Sequence, residues 1–238
     1  MWLSPPPLCS LFGIGLLYDR YGWLNHALEA FKSVLDIAPD FERADEVCFC
    51  MGIIFKEQGD YKSALEYFDR VVAAASPPPP LSSADALYQI GLVHDLTGDK
   101  PTAEATFRRA LEANPSHAKS LNQLAWLRHL AGDVAEALEL LHRSVEVDGN
   151  DGQVWYLLGR VRMTRREYRE AHEAYQKAVF SDSRNHVYWC SIGVLYFQMG
   201  QHKDALDAYT RAIRITPNVG DVWLALGRLY ETCHQPND

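Results

Sequence analysis

The chain has 238 residues, 47% hydrophobic and 23% charged, enough apolar material for a packed core, which excludes disorder as the main state. With 23 basic against 31 acidic residues the net charge is −8, and an acidic surface is a poor direct ligand for nucleic-acid phosphate. No run reaches the roughly 18 apolar residues that a membrane-spanning helix needs. The scattered cysteines, Cys9, Cys48, Cys50, Cys190 and Cys233, form no disulfide framework and point to a reducing compartment.

In chain order, residues 1–7 form a leader without helical pattern. Leu8 to Leu17 (LCSLFGIGLL) has the apolar character of a secretory signal. No basic residue precedes it, however, three prolines crowd its start and no small-x-small cleavage site follows. An internal repeat claims it instead as a helix. Glycine or alanine recurs at Gly15, Gly52, Gly91, Ala125, Gly159, Gly193 and Gly227, in steps of 37, 39, 34, 34, 34 and 34. Twelve residues after each of the first six stands an alanine: Ala27, Ala64, Ala103, Ala137, Ala171 and Ala205. Four further on comes a ring or a leucine: Phe31, Phe68, Phe107, Leu141, Tyr175 and Tyr209.

This register predicts helical hairpins over 8–41, 45–78, 84–117, 118–151, 152–185 and 186–219, and a single first helix over 220–238. Gly59–Asp60, Gly98–Asp99 and Gly132–Asp133 break the chain between paired helices, glycine taking the left-handed turn and aspartate capping the next helix. Proline at Pro39, Pro115 and Pro217 stops the second helix. Glycine within a helix costs roughly 0.8–1 kcal/mol against alanine, so its recurrence in register predicts a close approach of two helices. The alanine twelve residues on is expected at the same crossing. Trp189, Ile192 and Tyr196 in the sixth unit, and Trp223, Leu226 and Tyr230 in the last, are expected in the core. Ser76 to Ser83 (SPPPPLSS) lengthens the join after the second unit; it reads as a docking strut for a proline-reading domain or as a surface loop. The last unit falls one residue short of its alanine mark, so a segment of a longer solenoid, with terminal faces prone to self-association, is expected.

The repeat resembles the tetratricopeptide repeat, a 34-residue helix-turn-helix unit. The matching pieces are YWCSIGVLYFQMG (188–200), DALDAYTRAIRITP (204–217) and FKEQGDYKSALEYFDRVV (55–72). The resemblance implies an all-α, right-handed α-solenoid whose units stack to bury their apolar faces. MGIIFKEQGDYKSALEYF (51–68), WYLLGRVRMTRREYREAHEAYQKAVFSDSRN (155–185) and VWLALGRLYETCHQPND (222–238) are similar to the repeat region of the fungal general transcriptional corepressor that pairs with a WD-repeat protein. WCSIGVLY and LYETCHQP also resemble the repeat region of JmjC-type histone lysine demethylases. The corepressor resemblance implies a nuclear, non-enzymatic scaffold without cofactors. Its partners would be DNA-binding repressors, a WD-repeat corepressor and histone-modifying complexes, with no direct nucleic acid, membrane or small-molecule substrate. The non-catalytic region of a chromatin enzyme, or a general adaptor of another assembly, are the other readings.

No catalytic or metal constellation emerges from the residues. Gly13-Ile14-Gly15 lies inside a helix pattern and not after a strand. Cys48 and Cys50 are two apart on a helix, so they face different ways, and Cys48 falls on a core mark. His94 falls on a buried mark. The tetratricopeptide resemblance implies a peptide groove lined by the fifth and ninth positions of each first helix. Those positions hold Phe12 and Leu16, Phe49 and Ile53, Tyr88 and Leu92, Asn122 and Trp126, Tyr156 and Arg160. Cys190 and Val194, then Leu224 and Arg228, complete the series, and Phe197 and Met163 add to the groove. Such a track suits an amphipathic or extended apolar peptide. Arg160, Arg162, Arg165, Arg166 and Arg169 either receive an acidic segment or pair with Glu167, Glu170 and Glu173.

Overall fold

The computed structural model describes residues 8–74 and 81–234, so the leader and most of the proline-rich insertion lie outside the described residues. Among the described residues there are thirteen helices and no strand. First helices are α1 (Leu8–Arg20), α3 (Ala44–Glu57), α5 (Ser83–Leu96), α7 (Ala118–Leu130), α9 (Gly152–Thr164), α11 (His186–Gln198) and α13 (Gly220–His234). Second helices are α2 (Leu24–Ile37), α4 (Tyr61–Ala73), α6 (Lys100–Ala113), α8 (Val134–Val147), α10 (Tyr168–Ser181) and α12 (His202–Ile215). The chain divides into two compact units, residues 1–120 and 121–238.

Each second helix buries one stripe and exposes the rest. In α12 the stripe is Ala205, Ala208, Tyr209 and Ala212, and in α10 it is Ala171, Ala174, Tyr175 and Ala178. These fall at i, i+3, i+4 and i+7, a single helical face. First helices are covered on more sides: α9 buries Val154, Leu157, Leu158, Gly159 and Val161. In the first unit Phe12, Phe31, Val34, Val47, Met51 and Ile54 form one core cluster, and Ala64, Phe68, Ile90 and Val93 another. In the second unit Ala171, Tyr175, Ile192, Leu195 and Ala208 pack together, as do Tyr209, Ala212, Val222, Leu226 and Leu229. Each fully buried phenylalanine contributes roughly 2–3 kcal/mol from burial.

The crossing of paired helices is built on the recurring glycine and a ring. A Cβ built on Gly15, Gly52, Gly91, Gly159 or Gly193 would stand 2.4–2.6 Å from the ring of Phe31, Phe68, Phe107, Tyr175 or Tyr209. The glycine therefore makes room for the ring sixteen residues on, one turn beyond the alanine. Side chains lean toward the helix N-terminus, so a ring one turn after the alanine reaches back over the glycine. The alanines are still fully buried. In the fourth hairpin the ring is replaced by Leu141 and the glycine by Ala125, both buried: a smaller filler goes with a larger wall.

Gly59, Gly98 and Gly132 take φ of +80°, +86° and +89°, which makes glycine the fitting residue at these turns. Asp60, Asp99 and Asp133 follow and accept from the backbone N–H of Ser63, Thr102 and Glu136. Ser82, near the end of the insertion, forms a capping box with Asp85 at the start of α5.

Three core expectations are corrected. His94 is half-buried. Trp223 and Tyr230 are 54% and 51% exposed, while Leu226 alone of that trio is buried; among the described residues no helix follows α13. Trp189 and Tyr196 are half-buried beside the buried Ile192. Cys48 is buried as expected, and burial pushes the Cys50 thiol up to about 11, so neither is a ready nucleophile.

Candidate functional site

The residues named for the groove are scattered over several environments. Phe12 is 2% exposed. The Arg43 guanidinium lies 4.6 Å above its ring, and Phe41 meets it edge-on; residues between the first two hairpins thus take it off the surface. Leu16 is exposed, and Ile53 packs against the Phe68 cluster. Asn122 is 5% exposed. Its Nδ2 donates to Asp151 Oδ2 at 3.4 Å, while Asp151 Oδ1 caps α9 through the Gln153 N–H. Asn122 thus braces a helix start and does not offer itself to a ligand. Leu92 is half-buried, and so is Phe197, whose ring lies beside His202.

In the second unit five named residues, Trp126, Tyr156, Arg160, Met163 and Val194, come together. The Arg160 guanidinium lies 4.3 Å from the centre of the Trp126 ring and 5.8 Å from that of Tyr156. Its Nη1 donates to the Tyr156 hydroxyl at 3.4 Å. α7, α9 and α11 enclose a pocket of about 310 Å³ lined by His129, Tyr156, Arg160, Met163, Ser191, Val194 and Gln198, among others. No carboxylate lines it, so its charged side chain is cationic. His129 is held below the usual histidine range by burial and by Arg160, so it stays neutral at pH 7. A pocket with one stacked arginine, aromatic walls and amide or hydroxyl rims can hold a carboxylate or carbonyl oxygen beside an apolar side chain. The other arginines do different work: Arg165 and Arg162 pair with Glu167 at 2.8 and 3.7 Å.

In the first unit Phe49 and Tyr88 share a pocket of about 310 Å³ with Cys50, Leu81, Gln89 and Lys119. Glu46 and Asp85 also line it, which breaks the apolar track expected there. Burial pushes Asp85 up, but hydrogen bonds from Ser82 and His117 outweigh it and hold the carboxyl below its ordinary range. Ser120, His117 and Asp85 form a string, with His117 Nδ1 2.7 Å from Ser120 Oγ and Nε2 3.3 Å from Asp85 Oδ1. Nδ1 also accepts the Ser120 N–H, so the proton sits on Nε2. Ser120 is fully buried, so its hydroxyl has no path to a substrate and the string braces the start of α7.

Sequence reasoning missed a hollow of about 320 Å³ where His172, Trp189, Tyr196, Asp204 and Arg211 meet. His172 Nε2 lies 2.8 Å from the Tyr196 hydroxyl, and Arg211 stacks on Trp189 at 4.7 Å. The signal was available: Trp155 with Lys177 repeats the same pair one unit earlier, at 3.9 Å. Among the described residues no His, Cys, Asp or Glu cluster could hold a metal ion, and no helix is long and apolar enough to cross a membrane.

Models of the tetratricopeptide repeat match residues 10–41, 51–118, 96–161 and 186–219. The general transcriptional corepressor CYC8 of Saccharomyces cerevisiae is 54% identical over 48 residues, 20% of this chain and 5% of that protein. The general transcriptional corepressor ssn6 of Schizosaccharomyces pombe is 53% identical over 36 residues, 15% of this chain and 3% of that protein. The matched stretch is thus a small part of either relative. Among solved structures, the APC/C hetero-tetramer Cut9-Hcn1 superposes with a TM-score of 0.80 at 14% identity, covering 95% of this chain and 43% of that one. A tetratricopeptide repeat protein from Parabacteroides merdae gives a TM-score of 0.73 at 16% identity over 95% of this chain and 87% of that one. At such identities these likenesses speak for the fold alone. With its repeats matched along most of its length and its paired helices seated as glycine against ring, the chain belongs to the tetratricopeptide-repeat family.

Proposed function

We propose that this chain is a nuclear, non-enzymatic corepressor scaffold that grips peptide segments of DNA-binding repressors and of a WD-repeat corepressor. The repeat fold is that of a protein-interaction scaffold, and stretches of its sequence are shared with transcriptional corepressors at just over half identity. The observation that carries the site is the Arg160 guanidinium stacked on Trp126 beside Tyr156, over a pocket without a carboxylate. This arrangement supports a segment pairing an acidic or carbonyl oxygen with an apolar side chain. Val194 supplies the apolar floor, and the Phe49–Tyr88 pocket of the first unit offers a second, more polar foothold. Groove contacts set the affinity, and the acidic surface elsewhere biases which partners dock.

Affinity capture from nuclear extract with the whole chain, followed by mass spectrometry, tests this reading. A WD-repeat corepressor and sequence-specific repressors are expected on the wild-type chain. Tyr156→Ala with Arg160→Ala should reduce them at least tenfold while helix content by circular dichroism is unchanged. Equal capture by the double variant removes these residues from the site. Capture of no transcriptional regulator at all overturns the corepressor role.

A further inference from the structure

Two carboxylates of the sixth hairpin stand without a partner. Asp204 and Asp207 lie three apart on α12, so they share a face. Both are exposed, and among the described residues neither makes a hydrogen bond or an ion pair. The fourth hairpin shows how the repeat answers such a charge. There Arg128, three residues after Ala125, pairs with Glu136, eleven after it. Counted from Gly193, the same two positions of the sixth hairpin hold Tyr196 and Asp204. A ring has replaced the cation. Its hydroxyl lies 2.8 Å from His172 Nε2. Burial, and after it the Asp204 charge, push that hydroxyl above its ordinary range. Tyr196 therefore brings Asp204 no compensating charge.

The two carboxylates edge the hollow of about 320 Å³ between α10 and α12. α11 supplies its floor through Ile192 and Tyr196, and Val179 of α10 stands opposite. At the far end Arg211, two turns after Asp204 on the same side of α12, lies over Trp189, and among the described residues it pairs with no carboxylate. The hollow is thus dipolar, anionic at one end, cationic at the other and apolar between. A metal ion is not its complement, since no cluster among the described residues could hold one. All three helices lie inside the run, with α9 before them and α13 after. We propose that this hollow seats an extended segment of a partner protein with the pattern Lys-x-(apolar)-x-(Asp or Glu). The lysine ammonium would meet Asp204 and Asp207, the apolar side chain would lie over Ile192, and the carboxylate would reach Arg211. Residues i, i+2 and i+4 of an extended chain share a face and span about 13 Å. Asp204 and Arg211 are about 10 Å apart along α12, a difference that these long side chains absorb. The site is separate from the pocket under Arg160, which first helices line, and it does not rest on the corepressor reading.

The probe is a fluorophore-labelled peptide with capped termini, Ser-Gly-Lys-Ser-Leu-Ser-Glu-Gly-Ser, titrated into the whole chain by fluorescence anisotropy. Its lysine and glutamate cancel, so general attraction to an acidic chain does not drive binding. Saturable binding is expected. A peptide with norleucine for lysine keeps the stem, loses the charge and should bind about tenfold less tightly. Asp204→Asn with Asp207→Asn should cost about the same. Glu139→Gln with Glu146→Gln removes equal charge from exposed positions on α8 and should change nothing. Tyr196→Arg sets the cation of the fourth hairpin before Asp204, so it should abolish binding while helix content by circular dichroism is unchanged. A peptide with glutamine for glutamate should lose several-fold against the wild-type chain and nothing further against Arg211→Leu. Absence of saturable binding overturns the proposal, and so does equal affinity for the Asp204, Asp207 double variant or for the norleucine peptide. A dimer seen by light scattering that Tyr196→Arg dissolves also overturns it, assigning the hollow to a second copy.

Discussion

The crossings inside the hairpins and the turns that close them are built to different tolerances. At the crossings, five hairpins use glycine against a ring, with the missing Cβ 2.4–2.6 Å from ring carbons. The single exception, Ala125 with Leu141, changes both members at once. The turns vary freely. Three read Gly-Asp with a side-chain cap, but the others read Gly22–Trp23, Arg166–Glu167 and Gly200–Gln201, where the second residue makes no cap hydrogen bond. A steric conflict in a packed interior has no cheap remedy, because the wall cannot retreat. A cap or a turn conformation is worth about 1 kcal/mol and lies in water, so the chain can spend that position on surface chemistry.

The sharpest way to break this comparison is to put the same methyl group at two equivalent positions. Gly193→Ala should destabilise the chain by about 1–3 kcal/mol, since the buried Tyr209 ring must shift. Gly227→Ala should be neutral or stabilise by up to about 1 kcal/mol, since it meets open space and alanine favours a helix. Adding Tyr209→Leu to Gly193→Ala rebuilds the Ala125–Leu141 solution, so the double variant should lose clearly less than the sum of its parts. Urea unfolding of the wild-type chain, Gly193→Ala, Gly227→Ala, Tyr209→Leu and the double variant measures all of this. Equal costs at Gly193 and Gly227 would mean that glycine is retained there for a reason other than the ring.

The same difference explains how far the sequence could be read. The hairpins and their turns follow from a fixed spacing of small residues and from Gly-Asp pairs, both local signals. The ring's role did not, because the partner of a glycine depends on how side chains lean across two helices and not on spacing alone. Within the candidate site, Trp126, Tyr156, Arg160 and Val194 were named because the repeat resemblance implies that the fifth and ninth positions of first helices line a groove. Phe12 and Asn122 sit at equivalent positions yet are buried. What covers Phe12 is Arg43 and Phe41, from the stretch joining two hairpins, and what engages Asn122 is Asp151, at the next helix start. Lids supplied from outside the hairpin leave no mark in its own pattern.

The fifth turn gives a smaller effect of opposite sign. Arg166 has φ of +59° where other turns place glycine, a conformation that costs a residue with a Cβ about 1 kcal/mol. Arg166→Gly should therefore stabilise the chain by about 1 kcal/mol and raise its Tm by about 2–4 °C. Arg162 and Arg165 keep their pairing with Glu167, so little is lost. A Tm that falls would show that the Arg166 side chain makes up for its backbone, and the turn would then be as constrained as the crossings.

The smallest effect separates caps from core by their response to acid. Asp60 and Asp99 are held below the ordinary carboxylate range by the hydrogen bonds they accept from Ser63 and Thr102. Asp133 is held there by Arg128 and by the Glu136 N–H. A carboxyl whose folded value is depressed contributes its stability above the unfolded value, about 3.9, and loses it as pH falls through the folded value. The Tm of the wild-type chain should therefore drop as the pH falls below about 4. Asparagine caps a helix as well as aspartate does but carries no titrating proton. The combined variant Asp60→Asn, Asp99→Asn, Asp133→Asn should thus match the wild type near pH 7 and lose less on acidification. The slope should flatten without vanishing, because the depressed Asp85 remains in the first unit. An unchanged slope would place the acid sensitivity outside the turns, and a large loss already at pH 7 would mean that Arg128 needs the Asp133 charge for more than the cap.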